Sequence, residues 1–136
     1  MEAYQWIHPA AGLLTLLLLT ATAWTKLRSK KYSRLHYALA LVTVLAVIGT
    51  FALGLYTFAR CDCDDYWPPT LPLHFVIVLL FMVFILGQRT MGVSMLLFGR
   101  KRSLFRMHRF NARIVSGLAA AAMLLGVTTL GLLLTG

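Results

Sequence analysis

Acidic residues are nearly missing from this sequence. Aspartate and glutamate number four in 136 residues, at Glu2, Asp62, Asp64 and Asp65, and none falls inside a long apolar run. Charged residues of both signs make up 12%, about half the share of a soluble globular domain. Cysteine is almost as scarce. Cys61 and Cys63 are too few for a disulfide framework, and their spacing matches no zinc motif. Low-complexity segments and internal repeats are not evident. What is abundant is apolar surface, at 60% of residues. A soluble domain of this size could not bury that much, whereas a bilayer can accept it. The formal charge of +9 does not indicate nucleic-acid binding, because the cations cluster in short segments between apolar runs, the pattern of a topology signal.

Four stretches lack Asp, Glu, Lys and Arg: Ala3 to Thr25, Leu35 to Ala59, Tyr66 to Gln88 and Ile114 to Gly136. Each exceeds the roughly 20 residues needed to cross a hydrocarbon core of about 30 Å. In lipid each span must satisfy its own backbone, so each is expected to be helical. The third apolar run resumes after Arg89 and reaches Gly99, either as a projecting helix or as a segment along the surface. The expected architecture is all-α, a single domain over residues 1–136, with spans near 4–25, 35–59, 68–98 and 106–135. Short connections make consecutive helices antiparallel neighbours in an up-down bundle.

Charge sets the expected orientation. Lys26, Arg28, Lys30, Lys31 and Arg34 lie between spans one and two. Arg89, Arg100, Lys101, Arg102, Arg106, Arg109 and Arg113 lie around the junction of spans three and four. Arg60 is the one other cation, and all four acids fall on its side. Both basic segments are therefore expected in the cytoplasm, with both termini outside, in a multi-pass cell (cytoplasmic) membrane protein. The first span has no basic segment before it, so it is not expected to be a cleaved signal peptide. Tyr4, Trp6, Tyr66 and Trp67 at outer edges, and Trp24, Tyr32 and Tyr37 at inner ones, fit an interfacial aromatic belt.

Each span carries one histidine near its N-terminal end: His8, His36, His74 and His108. Because the helices alternate in direction, His8 and His74 should share the outer layer, and His36 and His108 the inner one. A lone histidine at a helix end is usually interfacial and inert. Four in register call for more, since ionisable groups within membranes are functional by default. Two imidazoles without a carboxylate or thiolate make a poor zinc site, which takes three or four protein ligands. They do complete a six-coordinate heme iron, and bundles build such sites from facing helices. The candidate metal ligands are thus His8 and His74 for an outer heme, and His36 and His108 for an inner one.

Small residues at the far ends of the spans leave room for a macrocycle, or simply let helices pack closely. They are Gly49, Gly54, Gly126 and Gly131 toward the outer site, and Ala21, Ala23, Gly87 and Gly92 toward the inner one. Arg60 outside, and Arg34, Arg106, Arg109 and Arg113 inside, are candidate partners for heme propionates. No Cys-x-x-Cys-His occurs, so covalent c-type heme is not expected.

These residues resemble the cytochrome b561 core and related ferric-reductase-like membrane domains. The likeness rests on His8-Pro9-Ala10-Ala11-Gly12, on Leu35-His36 after a basic loop, and on Arg106-Met107-His108-Arg109 after another. It covers nearly the whole chain but depends on spacing and topology. It implies two b-type hemes with histidine at both axial positions, and electron transfer across the membrane. The six-helix members of that family are longer, so their ascorbate site does not carry over. The cytochrome b subunits of formate dehydrogenases and hydrogenases place two histidines on one helix, which this chain does not.

The leading expectation is a diheme electron carrier, alone or as the membrane subunit of a larger redox complex rather than a stand-alone enzyme. Its expected surroundings are lipid, redox protein partners and, as one candidate, a quinone, although no dedicated quinone motif is visible. The acidic loop Arg60–Trp67 is a candidate docking patch for a basic partner. The competing expectations are a small transporter or channel, and a cofactor-free structural subunit.

Overall fold

A computed structural model describes residues 4–28, 34–60, 68–99 and 101–135. It contains four helices: α1 (Tyr4–Arg28), α2 (Arg34–Arg60), α3 (Thr70–Leu97) and α4 (Arg102–Thr135). All four are long and apolar enough to cross a membrane. The shortest, at 25 residues, spans about 38 Å at 1.5 Å per residue. The run through Arg89 does not break, and α3 continues as one helix to Leu97. Beyond it Gly99 adopts φ +80°, the left-handed conformation that ends a helix and that glycine tolerates best. Phe98 N–H closes on the Ser94 carbonyl at 2.9 Å, so the chain turns sharply into α4, which begins at Arg102, a turn earlier than expected.

The helices form an antiparallel ring in which α1 packs chiefly on α2 and α3 on α4. The two hairpins meet only sparsely, along α1–α4 and α2–α3, and the diagonal pairs α1–α3 and α2–α4 do not approach. Large apolar side chains point outward at mid-depth on every helix, with Leu17, Leu45, Val83 and Leu124 each at least 60% exposed. Water would penalise that surface, and lipid tails accept it.

The inner seam of each helix follows one rule, counted from its histidine. Seven residues on are Thr15, Thr43, Phe81 and Val115, and all four are buried. Eleven residues on are Leu19, Val47, Ile85 and Ala119, all in or against the apolar core. These alternating steps of four and three keep a stripe facing its neighbours along the whole helix. The chain therefore does hold an internal repeat, at the level of seam positions rather than residue identity. In α1 and α2 it is nearly literal, as His8, Thr15, Thr22 and His36, Thr43, Thr50. These threonines meet across the first hairpin, Thr15 to Thr50 at 2.8 Å and Thr22 to Thr43 at 3.0 Å, where one of the second pair donates across only by giving up its own helix carbonyl, Leu18 or Leu39. Thr15 donates its own proton to the Ala11 carbonyl, so Thr50 is the donor between the first two. Thr70 and Thr129 make the corresponding contact in the second hairpin, at 2.8 Å. Such hydroxyl pairs hold helices together where lipid supplies no hydrophobic drive between them.

Candidate functional site

The seam rule fixes where each histidine lands. In an antiparallel hairpin, the residue fourteen positions after one histidine lies opposite the other. The His8 Nδ1–H donates to the Thr50 carbonyl at 3.1 Å, and the His36 Nδ1–H to the Thr22 carbonyl at 3.2 Å. Thr50 is fourteen beyond His36, and Thr22 fourteen beyond His8. The second hairpin repeats the relation, with His74 against the Ala122 backbone and His108 against that of Gln88. Two polar layers result, fourteen residues or about 21 Å apart along each helix, with Val47, Phe81, Ile85, Val115 and Ala119 closing the space between.

A carbonyl can only accept, so in His8 and His36 Nδ1 carries the proton and Nε2 the lone pair. The Thr25 hydroxyl donates to the Thr22 carbonyl at 2.7 Å, and its oxygen also receives His36 Nδ1–H at 3.1 Å. A ring tied at Nδ1 carries its lone pair on Nε2, the usual state of a metal-ligating histidine, oriented and made more basic by the hydrogen bond on its far side.

At the end holding the N-terminus of α1, His8 and His74 meet. Their ring centroids are 6.4 Å apart and the planes stand at 84°. They reach each other across a diagonal where the helix backbones do not approach. Room for the rings comes from glycine. A Cβ on Gly54 would stand 2.8 Å from Cε1 of His8, and one on Gly126 would stand 3.1 Å from Cε1 of His74. These two glycines therefore leave room for the imidazoles. Gly49, Gly87 and Gly131 face open space, and Gly92 approaches His108 at 3.9 Å.

The other end is built differently. His108 lies within electrostatic range of His36, as His74 does of His8. The Gln88 side-chain amide donates to Nε2 of His108 at 3.1 Å, so there too Nε2 holds the lone pair. Buried Asn111 fixes that amide, donating to Gln88 Oε1 at 3.0 Å and to the Phe84 carbonyl at 2.9 Å. Lys26 interacts electrostatically with both histidines, and Arg89 with His36. Sequence reasoning passed over Gln88, Asn111 and this role of Lys26. The heptad spacing from each histidine was the signal that would have found Gln88 and Lys26; Asn111 is three residues past His108 and had none.

The residues fit a metal bound by two imidazoles. A neutral imidazole lies about 2.0 Å from such a metal, and its ring centre about 1.2 Å further, so two facing rings would be separated by about 6.4 Å. An edge-to-face pair of rings occupies the same range of separations. What fits ligation is the tautomer: Nδ1 of His8 and of His36 is tied to a carbonyl, which leaves the lone pair on Nε2. Among the described residues no three of histidine, cysteine, aspartate and glutamate converge.

The proposed propionate partners lie at the rims. Arg60 is exposed, with its guanidinium 5.4 Å from the Tyr56 ring centre, and Arg109 is exposed 5.7 Å from that of Phe105. Cys61, Cys63 and the acidic loop lie outside the described residues. Comparison with family models, with curated proteins and with solved structures finds no match for this chain.

Proposed function

We propose that this chain carries electrons across a membrane through two b-type hemes, one held by His8 and His74 and the other by His36 and His108. The observation that carries the reading is the facing of His8 and His74 at 6.4 Å across helices that otherwise stay apart. Bound heme supplies a one-electron iron couple whose potential follows its axial ligands, burial and nearby charge. The protein's own part is structural. Thr50 and Thr22 carbonyls hold His8 and His36 by Nδ1, Gly54 and Gly126 admit the outer rings, and the sparse contact between hairpins leaves width for a flat cofactor. The Gln88 amide marks where Nε2 of His108 offers its lone pair, and a metal would take its place.

Orientation belongs to the same proposal. The basic connections between α1 and α2 and between α3 and α4 lie inside, which puts both termini and the His8–His74 layer outside. Electrons pass between a cytoplasmic or quinol donor and an acceptor outside, with further redox subunits as candidate partners. A conducting path is disfavoured because the mid-depth layer is closed by apolar side chains rather than lined with polar stations. A pyridine hemochrome assay on the purified chain tests the reading. Two b-type hemes per chain are expected. A value near zero removes the function proposed here, and a value near one removes the two-layer arrangement.

A further inference from the structure

The position eighteen residues after each histidine reaches the histidine of the neighbouring helix in the same hairpin. It is Gly54 in α2, Gly92 in α3 and Gly126 in α4. Each of these glycines has a histidine ring as its near neighbour, His8, His108 and His74 respectively. In α1 the same position is Lys26. The seam thus puts a long flexible cation where three helices carry no side chain, beside His36.

Lys26 is not a snorkelling surface lysine. Its ammonium nitrogen is buried, and it interacts electrostatically with both His36 and His108. Arg89 adds a second positive charge near His36. In the sequence, Glu2 precedes α1, and Asp62, Asp64 and Asp65 fall between α2 and α3, so no acid falls in the connection that follows Lys26. The outer layer is the reverse case. Its corresponding positions are Gly54 and Gly126, and the described cation at that end, Arg60, is exposed.

We propose that Lys26 sets the potential of the inner site, making it the layer at which a shared electron comes to rest. The inference rests on the diheme reading. A fixed positive charge stabilises the added electron by a Coulomb energy that burial leaves largely unscreened. With heme held at both layers, the charge would alter only how a shared electron is balanced between them. Lys26 is a positioning residue for charge and does not ligate.

The test is a mediated redox titration of the full chain in nanodiscs, wild type against Lys26→Met and Lys26→Arg, with heme content measured first. The inner component is identified as the one lost in His108→Ala. Methionine keeps length without charge, and it should shift the electron balance away from the inner layer by at least about tenfold, which is about 59 mV for a one-electron couple. The outer midpoint should stay in place, and arginine should hold the inner midpoint near its wild-type value. An inner midpoint unmoved by methionine, or an equal fall at both layers, overturns the inference while leaving two hemes bound. A wild-type chain without heme overturns the diheme reading and this inference with it. Amine labelling gives a readout free of heme. Lys26 should resist a water-soluble reagent that modifies exposed Lys101. Equal labelling of the two lysines overturns the buried charge.

Discussion

Gly54→Ala is the sharpest test of the outer site, because the structure ranks it against other glycines in the same bundle. The new Cβ would stand 2.8 Å from Cε1, 3.2 Å from Nδ1 and 3.4 Å from Nε2 of His8. Carbon atoms rest at about 3.5–4.0 Å, so the ring must retreat by about 0.7 Å or the hairpin must open. That retreat stretches the 3.1 Å bond from His8 Nδ1 to the Thr50 carbonyl beyond hydrogen-bonding range. Overpacking costs about 1–3 kcal/mol and the lost bond about 1 kcal/mol. Alanine returns about 0.5–1 kcal/mol by its better helix propensity. The net loss is about 1–3 kcal/mol, or roughly tenfold to a hundredfold in affinity at 1.4 kcal/mol per decade. The assay is heme titration into apoprotein in detergent, followed by the Soret band, with outer-site occupancy as the readout. Gly126→Ala, at 3.1 Å from His74, should weaken the same site by less, and Gly49→Ala, with nothing within 4 Å, should leave it unchanged. Wild-type affinity in Gly54→Ala, or equal damage from Gly49→Ala, would refute the cradle and with it the placing of the His8 ring.

Further outcomes follow from the same geometry. His8→Ala and His74→Ala should remove one spectral component and His36→Ala and His108→Ala the other, and loss of a shared component by His8→Ala and His36→Ala would contradict the diagonal pairing. Asn111→Ala should lower stability by about 1–3 kcal/mol, since it frees a half-buried Gln88 amide and the Phe84 carbonyl together; a thermal shift within error of wild type would mean the network is not structural. Replacing Asp62, Asp64 and Asp65 with Asn should slow oxidation of the outer heme by a basic acceptor at low salt and leave little difference at high salt, whereas an unchanged rate at both removes docking by that loop.

Much of the fold was legible because a bilayer constrains a sequence more tightly than water does. Charge-free runs of more than 20 residues leave the backbone a single economical choice, and the structure agrees to within a turn at most helix ends. Arg89 obscured the third helix, since a long cationic side chain interrupts a charge count without interrupting a helix. The meeting of His8 with His74 was legible from helix direction alone. The glycine roles were less so. Composition shows that a missing side chain makes space, but only register says whether an imidazole or something larger fills it. Gly54 and Gly87 look alike in sequence, yet one touches His8 and the other faces open space.

The seam also explains how one short chain builds two unlike sites. Placing a histidine first on each stripe, and antiparallel pairing, sets each imidazole beside the backbone fourteen residues along its neighbour, and in His8 and His36 a carbonyl there accepts from Nδ1. Side chains at the same positions are then free to diverge. At the His8–His74 layer they shrink to glycine, which admits two rings facing each other. At the His36–His108 layer Gly92 remains beside His108, while Lys26 and Gln88 bring a buried charge and a hydrogen-bonded amide. The backbone therefore sets the position of both histidine pairs, while the seam positions fourteen and eighteen residues on set what distinguishes them.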